Sequence, residues 1–227
     1  LTTAYDISTA TVNNNKIVHR GEGNNAIVPT QVVFNNDGTK MFISNHTGSN
    51  IQYWSLSTAF DISTATFNDA EDISSQEIRA NSIAFNNDGT RMIVAGAGNR
   101  SQHRIHEYSL ATPFEFSSGV THLNTEDLSS THKYIDGVTF NYDGTKMYTI
   151  EGIGDKVAGD KEISQFKLTT PYDVSTRSLE GTFDVSSVIA DSRELVFSND
   201  GSKMFIIDDS PCLLYTSPSP RDRTRSR

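Results

Sequence analysis

The side chains that could carry chemistry in this sequence are histidines, arginines and carboxylates. Histidine moves protons near neutral pH, and arginine binds anions through a fixed fork of donors. The histidines are His19, His46, His103, His106, His122 and His132. Their spacing matches no metal-binding pattern, and His103 and His106, three residues apart in an extended segment, fall on opposite faces. No nucleophile elbow, phosphate-binding loop or zinc-binding helix motif occurs, so the motifs predict no catalytic set, no metal and no cofactor.

Four acidic turns could suggest calcium instead. Each has an aspartate directly before a glycine, at Asp37, Asp88, Asp143 and Asp200. A calcium loop needs six or more oxygen ligands, usually from several carboxylates in one loop. Because each of these aspartates stands almost alone, we interpret the pattern as a tight hairpin turn that does not hold calcium.

The turns belong to a repeat with two landmarks. The first is an apolar pair, a Phe, the Asp-Gly turn and a Met, and its Phe recurs every 51 to 57 residues at Phe34, Phe85, Phe140 and Phe197. The second is a Leu followed four residues later by an aromatic, and it runs in step with the first, at Leu1, Leu56, Leu110 and Leu168. A fixed period near 55 residues is typical of stacked structural units, so we expect the four Phe residues to be buried and equivalent.

Each unit predicts four short strands, the first two joined by the Asp-Gly hairpin. The third strand carries Trp54, Tyr108 or Phe166 two residues before a Leu, and side chains two apart in a strand share a face. The aromatics could form a sugar-binding platform, but their equivalence in the repeat favours the core of each sheet. A four-stranded unit buries both faces only if such units stack.

The pattern apolar-apolar-Phe-x-x-Asp-Gly-x-Lys-Met, followed by Ile-x-x-aromatic-x-Leu, resembles bacterial YVTN-type and lactonase-like β-propeller repeats. The WD-type signature is missing. The resemblance implies an all-β fold of four-stranded antiparallel blades, forming an open arc of about four blades from a larger ring, with seven blades expected. The boundaries are a half blade at 1–25, blades at about 30–73, 81–128 and 136–185, and a half blade at 193–207, all within a propeller segment at 1–211. Such propellers serve enzymes and pure binding modules alike.

The tail at 212–227 differs in character from everything before it. The stretch 212–222 reads as the in-frame translation of a transposase-type sequencing adapter, so we predict that 212–227 is not native and that its deletion leaves folding unaffected. The alternative is a disordered Pro/Ser/Arg tail. The single cysteine, Cys212, falls in this tail.

Charge and hydropathy exclude two classes of partner. The chain has 28 acidic against 19 basic residues, a formal net charge of −9, whereas a nucleic-acid backbone is bound by a basic face. No apolar run is long enough for a membrane span. A protein or a carbohydrate remains the expected partner.

A site is expected where the repeats differ. The loops between second and third strands and the loops before each first strand vary in length, and strand order places both sets at one end of the ring. Function on a rigid scaffold usually lies on such loops. That end carries Glu22, His46, Arg79, Arg100, His132, Tyr134, Asp136, Glu151, Asp155 and Arg193. We select Arg79, His132, Tyr134, Asp136, Glu151 and Arg193 as candidate ligand-binding residues, against the alternative of solvated surface groups.

Because the sequence shows no concentrated acid/base or metal set, the first functional hypothesis is a non-enzymatic binding or structural propeller, exported to the periplasm or the cell exterior. The alternative is a hydrolase or lactonase acting on a small anionic sugar derivative at the channel mouth. Arg79 and Arg193 would then bind the substrate anion and His132 would transfer protons.

Overall fold

A computed structural model describes residues 28–77, 79–97, 103–130, 132, 134–152, 161–209 and 212–218. These residues are almost entirely β-strands and turns. Helix is limited to two single 3-10 turns, Ile62–Thr64 and Val174–Thr176, and no helix in this part of the chain is long and apolar enough to cross a membrane. The predicted half blade at 1–25 lies outside the described residues, as do His19, Glu22, Arg100 and Asp155.

The strands form four antiparallel sheets, and within each sheet every strand pairs with the next along the chain. The sheets are β1 (Pro29–Phe34), β2 (Lys40–Asn45), β3 (Asn50–Leu56) and β4 (Ala65–Asp72); β5 (Ala80–Phe85), β6 (Arg91–Ala97), β7 (His103–Thr112) and β8 (Glu115–Asp127); β9 (Gly137–Phe140), β10 (Lys146–Ile150), β11 (Glu162–Leu168) and β12 (Arg177–Asp184); and β13 (Ser192–Phe197), β14 (Lys203–Asp209) and β15 (Cys212–Pro218). The first strands contact one another in the order β1, β5, β9 and β13. The sheets are therefore arranged as blades around their first strands, which is the β-propeller arrangement.

The fourth sheet has three strands, whereas the sequence predicted two strands ending at 207. β15 pairs with β14 along its whole length, from Cys212 opposite Asp209 to Pro218 opposite Lys203. The segment 212–218 thus takes the place that the third strand holds in the other sheets. Its adapter-like origin is a matter of sequence and stays a prediction.

The two landmarks of the repeat meet at the Asp-Gly turns of the first three sheets. In the first sheet, Oδ1 of Asp37 accepts the backbone N–H of Thr39 at 2.9 Å and its hydroxyl at 2.5 Å. Gly38 has a φ of 72° and lies under the ring of Phe60, so that a Cβ there would be 2.4 Å from the ring. Phe114 lies over Gly89 and Tyr172 over Gly144 in the same way. The aspartate oxygens are engaged in hairpin hydrogen bonds, as the hairpin interpretation requires.

The core between the sheets is built mainly from the first three strands of each blade. Trp54, Tyr108 and Phe166 are 2% to 3% exposed, which confirms them as core residues of the blades. Opposite them in the pairing stand Met41, Met92 and Met147, which are 0% to 3% exposed.

The prediction of buried Phe residues was only partly right. Phe34, Phe85, Phe140 and Phe197 are equivalent, since each pairs with the Met that follows its turn, but all four are only partly buried. Each first strand is the edge strand of its sheet, but its inward-facing residues Ile83, Val138 and Leu195 are 0% to 1% exposed. Within each Phe–Met pair, the Met is the more deeply buried residue.

Candidate functional site

The first strands begin with an irregularity at the end where the variable loops lie. In β1, β5 and β13 one residue falls at a shift in the pairing with the second strand, and these residues are Thr30, Asn81 and Arg193. Asp136 holds the equivalent place directly before β9, and its N–H donates to the carbonyl of Ile150 at 3.1 Å. Because a bulge re-aims its side chain, four consecutive blades present a polar side chain at an equivalent position.

A chain of polar contacts links these positions from blade to blade. Nδ1 of His46 lies 2.7 Å from Oδ1 of Asn81, and Nδ2 of Asn81 donates to Oδ1 of Asp136 at 2.8 Å. The Arg193 guanidinium lies 3.8 Å from Oδ2 of Asp136 and 3.1 Å from Oδ2 of Asp191. Since Asn81 donates to Asp136 through its amide nitrogen, its oxygen accepts, and Nδ1 of His46 carries the proton.

Asp136 is a buried carboxyl in the middle of this series of polar contacts, and its residue is 8% exposed. Burial raises its pKa to about 7, although the charge of Arg193 and the hydrogen bond from Asn81 oppose the rise. The carboxyl is therefore close to its midpoint of ionisation at neutral pH.

Glu194, the neighbour of Arg193 in β13, is a second buried carboxyl, 7% exposed. Its Oε1 accepts the N–H of Leu195 at 3.0 Å, and its Oε2 accepts the hydroxyl of Ser82, two blades away, at 3.1 Å. Burial raises its pKa to about 8, the two hydrogen bonds oppose this, and the charge of Asp136 adds to it. At neutral pH, Glu194 is mainly protonated.

This arrangement can transfer protons and bind an anion. Buried carboxyls with pKa values near 7 are suited to general acid–base catalysis. The Arg193 side chain is 49% exposed, so its guanidinium can meet an anion from solvent. Among the described residues no group of three or more His, Cys, Asp and Glu side chains is placed to hold a metal ion.

A cavity of about 200 Å³ lies between the first strands, towards the Asp-Gly turns. Its lining includes Gln31, Val33, Ala84, Thr139 and Val196, and neither buried acid reaches it. Gln31 connects the two places, because its Oε1 lies 3.2 Å from the Ser82 hydroxyl that also contacts Glu194. The acids thus lie at one end of the inner strands and the cavity lies further along them.

Two of the predicted site residues are packed against aromatic rings. His132 is 2% exposed, its Nε2 lies 3.0 Å from Oγ1 of Thr149, and its ring stacks on Phe166 with centroids 5.8 Å apart. Burial lowers the pKa of His132 to about 4, so it is neutral at physiological pH. The ring of Tyr134 contacts the ring of His103 at 5.4 Å. The structure therefore brings together Asp136 and Arg193 and places His132 in the packing of a sheet.

Arg79 and Glu151 belong to a recurrent support of the loops before the first strands. The N–H of Arg79 donates to Oε1 of Glu77 at 3.0 Å. Asn45 and Asp208 accept backbone N–H groups of the corresponding loops in the first and fourth sheets. Glu151 holds the repeat position of Asn45 and Asp208 and is 5% exposed, which favours a role in holding its loop.

Sequence reasoning missed Glu194 and Asn81 and left His46 outside its six selected residues. The sequence feature that could have found them lies in the two residues before each apolar pair of the repeat. These residues are Thr30-Gln31, Asn81-Ser82, Asp136-Gly137 and Arg193-Glu194. These positions vary in charge and size, whereas the apolar pair and the Phe-x-x-Asp-Gly that follow keep their character.

No protein-family model matches the sequence, and no curated protein sequence matches it either. Solved structures with the same fold include a "putative 6-phosphogluconolactonase" from Bacteroides uniformis, with a TM-score of 0.57 and 12% identity over 84% of this chain and 50% of that one. A second "putative 6-phosphogluconolactonase", from Bacteroides fragilis, has a TM-score of 0.52 and 11% identity over 85% and 55%. A periplasmic gluconolactonase from Pseudomonas aeruginosa has a TM-score of 0.52 and 14% identity over 82% and 48%.

These likenesses correct the first functional hypothesis. The main expectation was a non-enzymatic binding or structural propeller, but the three solved structures carry lactonase names, which agrees with the alternative. At 11% to 14% identity the likeness itself shows the β-propeller fold alone. The chain spans about half the length of each of these proteins, so activity and substrate are matters for a proposal.

Proposed function

We propose that this chain is part of a lactone hydrolase of the lactonase-like, YVTN-related propeller type, acting on a small anionic sugar lactone in the periplasm or outside the cell. The observation that carries the proposal is the pair of buried carboxyls, Asp136 and Glu194, beside a half-exposed Arg193 at the start of the first strands. The names of the similar solved structures support the choice of reaction, and the name of the Pseudomonas aeruginosa protein supports the compartment.

Lactone hydrolysis needs one proton acceptor and one proton donor. The oxygen of a water molecule bonds to the lactone carbonyl carbon, and the ester bond between that carbon and the ring oxygen breaks. Asp136, whose ionised form is favoured by the nearby Arg193 guanidinium, takes the proton from the water. Glu194 gives its proton to the ring oxygen, which leaves as a hydroxyl group, and the product is an open-chain hydroxy acid. Transfer of the proton from Asp136 to Glu194 restores the starting state.

Arg193 supplies the anion recognition. Its guanidinium is fixed on one side by Asp191 at 3.1 Å and lies 3.8 Å from Asp136. A phosphate or carboxylate of the substrate would add a further partner on the exposed side of the guanidinium, with the bidentate geometry that arginine favours. The substrate would then be held with its lactone ring against the two acids.

The test measures hydrolysis of gluconolactone and 6-phosphogluconolactone by the 227-residue chain, with acid release followed in a pH-stat. We expect Asp136→Asn and Glu194→Gln each to lower kcat by about 10²- to 10⁴-fold, the range for loss of a general acid or base. Arg193→Lys should raise KM for the phosphorylated lactone more than for the neutral one, since Lys lacks the fork of donors.

Asp200→Asn is the matched control, because Asp200 is an exposed carboxylate in the turn at the other end of β13. It should leave the rate unchanged. A wild-type rate equal to that of buffer, or acid variants as active as wild type, would contradict the proposal.

A further inference from the structure

Each of the two buried acids lies against a glycine. A Cβ on Gly137 would be 2.7 Å from Oε1 of Glu194 and 2.8 Å from Cγ2 of Ile150. A Cβ on Gly152 would be 1.5 Å from Oδ2 and 2.4 Å from Cγ of Asp136. Contacts of this length do not occur between real side chains, so the carboxyl groups occupy the space that a side chain at 137 or 152 would need.

Backbone conformation does not explain these two glycines. The glycines of the Asp-Gly turns have φ values of 66° to 72°, but neither Gly137 nor Gly152 is among the residues with positive φ. Their backbones would accept an alanine. At each of these positions the atom nearest to the added Cβ is a carboxyl oxygen, and at 152 the carbonyl oxygen of Ser192 is a further contact at 2.9 Å.

The internal repeat supports the same interpretation. At the position of Gly137 the other sheets carry Gln31, Ser82 and Glu194 itself. Only the third sheet lacks a side chain there, and the Glu194 side chain passes that point to reach Ser82 on β5. At the position of Gly152 the first sheet carries His46, whose ring reaches Asn81.

We infer that Gly137 and Gly152 are positioning residues of the acid pair, which leave the space that holds Glu194 against Ser82 and Leu195 and Asp136 against Asn81 and Arg193. The catalytic meaning of this inference rests on the proposed function. A methyl group at 137 would push the Glu194 carboxyl off its two donors and towards solvent. A methyl group at 152 would push Asp136 away from the guanidinium. The charged and titratable groups facing the pair are Arg193 and Asp191, with His46 reached through Asn81.

The first experiment is a double-mutant cycle in the full chain with Gly137→Ala, Glu194→Ala and the double variant, read by urea denaturation. If Glu194 fills the space, Gly137→Ala lowers the denaturation midpoint in the wild-type background and lowers it much less in the Glu194→Ala background. The same cycle with Gly152→Ala and Asp136→Ala is expected to show the same pattern. Gly181→Ala is the matched control, because a Cβ there meets nothing within 4 Å and its φ is not positive.

Three results would overturn the inference. One is an equal fall in the denaturation midpoint when Gly137→Ala is made in the wild type and in Glu194→Ala, which would attribute the destabilisation to the contact with Ile150. Another is a Gly137→Ala chain that fails to fold and is not rescued by Glu194→Ala, whereas rescue would support the inference. The third is a folded Gly137→Ala chain whose Glu194 carboxyl, titrated by carbon-13 NMR, keeps the wild-type pKa instead of moving down towards the ordinary value.

Activity separates this inference from the proposed function. If both hold, Gly137→Ala shifts the pH profile of lactone hydrolysis and lowers kcat at least tenfold, and Gly181→Ala changes neither. If Gly137→Ala and Glu194→Ala are coupled in the cycle but the wild-type chain is inactive, the proposed function is wrong and the spatial role of the glycines still holds. An active wild type with no coupling would defeat the inference alone.

Discussion

Replacement of Glu194 by Gln should change how the stability of the chain depends on pH. Burial raises the pKa of Glu194 to about 8 from an ordinary 4.5, so at neutral pH the folded chain keeps a proton that the unfolded chain has lost. The folded state binds more protons, and stability therefore falls as pH rises between these two values. Because Gln cannot ionise, the Glu194→Gln variant does not lose stability in this way as pH rises. Its amide oxygen can still accept the N–H of Leu195.

The size of the effect is clearest above pH 6.5. Burial lowers the pKa of His132 to about 4 and that of His103 below its ordinary 6.5, so these histidines make stability rise with pH mainly below 6.5, and wild type and Glu194→Gln share this effect. Between pH 6.5 and the Glu194 pKa of about 8, loss at about 1.4 kcal/mol per pH unit amounts to roughly 2 kcal/mol. Asp136 contributes less in this window, because its pKa of about 7 is passed early.

The assay is urea unfolding at a series of pH values, followed by the fluorescence of the buried Trp54 and by circular dichroism. We expect the free energy of unfolding of the wild type to fall by roughly 2 kcal/mol relative to Glu194→Gln between pH 6.5 and 8. Glu180→Gln is the control, because the pKa of that exposed carboxylate is lowered by hydrogen bonds from Lys146 and Gln165 and it is ionised throughout. Parallel curves for wild type and Glu194→Gln would refute the reasoning.

Three further substitutions test the packing of the sheets and the series of polar contacts around Asp136. Gly89→Ala should lower the free energy of unfolding by about 1–3 kcal/mol in urea melts, because the new Cβ would stand 2.1 Å from the ring of Phe114 at a φ of 71°; an unchanged midpoint would contradict the packing of the turn. Met92→Ala should cost about 2–5 kcal/mol and more than Phe85→Ala in the same melts, since Met92 is fully buried and Phe85 only partly so; the reverse order would show that the burial assignment is wrong. Asn81→Ala should raise the pKa of Asp136 further, because the hydrogen bond from Asn81 holds that pKa down; a carbon-13 NMR titration that showed a lower pKa of Asp136 in the variant would contradict this.

The repeat made the sheets predictable because it contains the residues that determine local structure. Asp37 and Gly38 identify the hairpin, and the alternation around Trp54 identifies the buried face of β3. The burial of Phe34 was not predictable in the same way. It depends on how closely the neighbouring sheets pack against that position, which the sequence of a single repeat does not show.

The candidate site was predictable only where it lay on loops. Asp136 and Arg193 were selected because they precede first strands, whereas Glu194, directly after Arg193, was not selected. Its burial and its raised pKa come from β5 and β9, which precede it by more than 50 residues in the chain. His132 was selected by the same loop rule, but loop position says nothing about burial, and the structure packs this ring on Phe166.

The position of the acids follows from the different roles that residues have within each blade. The turn, the Met and the third-strand aromatic form hydrogen bonds and packing contacts that are alike in each complete sheet, so they supply stability without regard to what precedes the strand. The two residues before the apolar pair form only a few contacts within their own sheet and many with the neighbouring blades. They can therefore differ in charge from blade to blade at little cost to the hairpin. A site that must combine a guanidinium with two buried carboxyls can be assembled at this position, because one blade contributes Asp136 and the next contributes both Arg193 and Glu194 there.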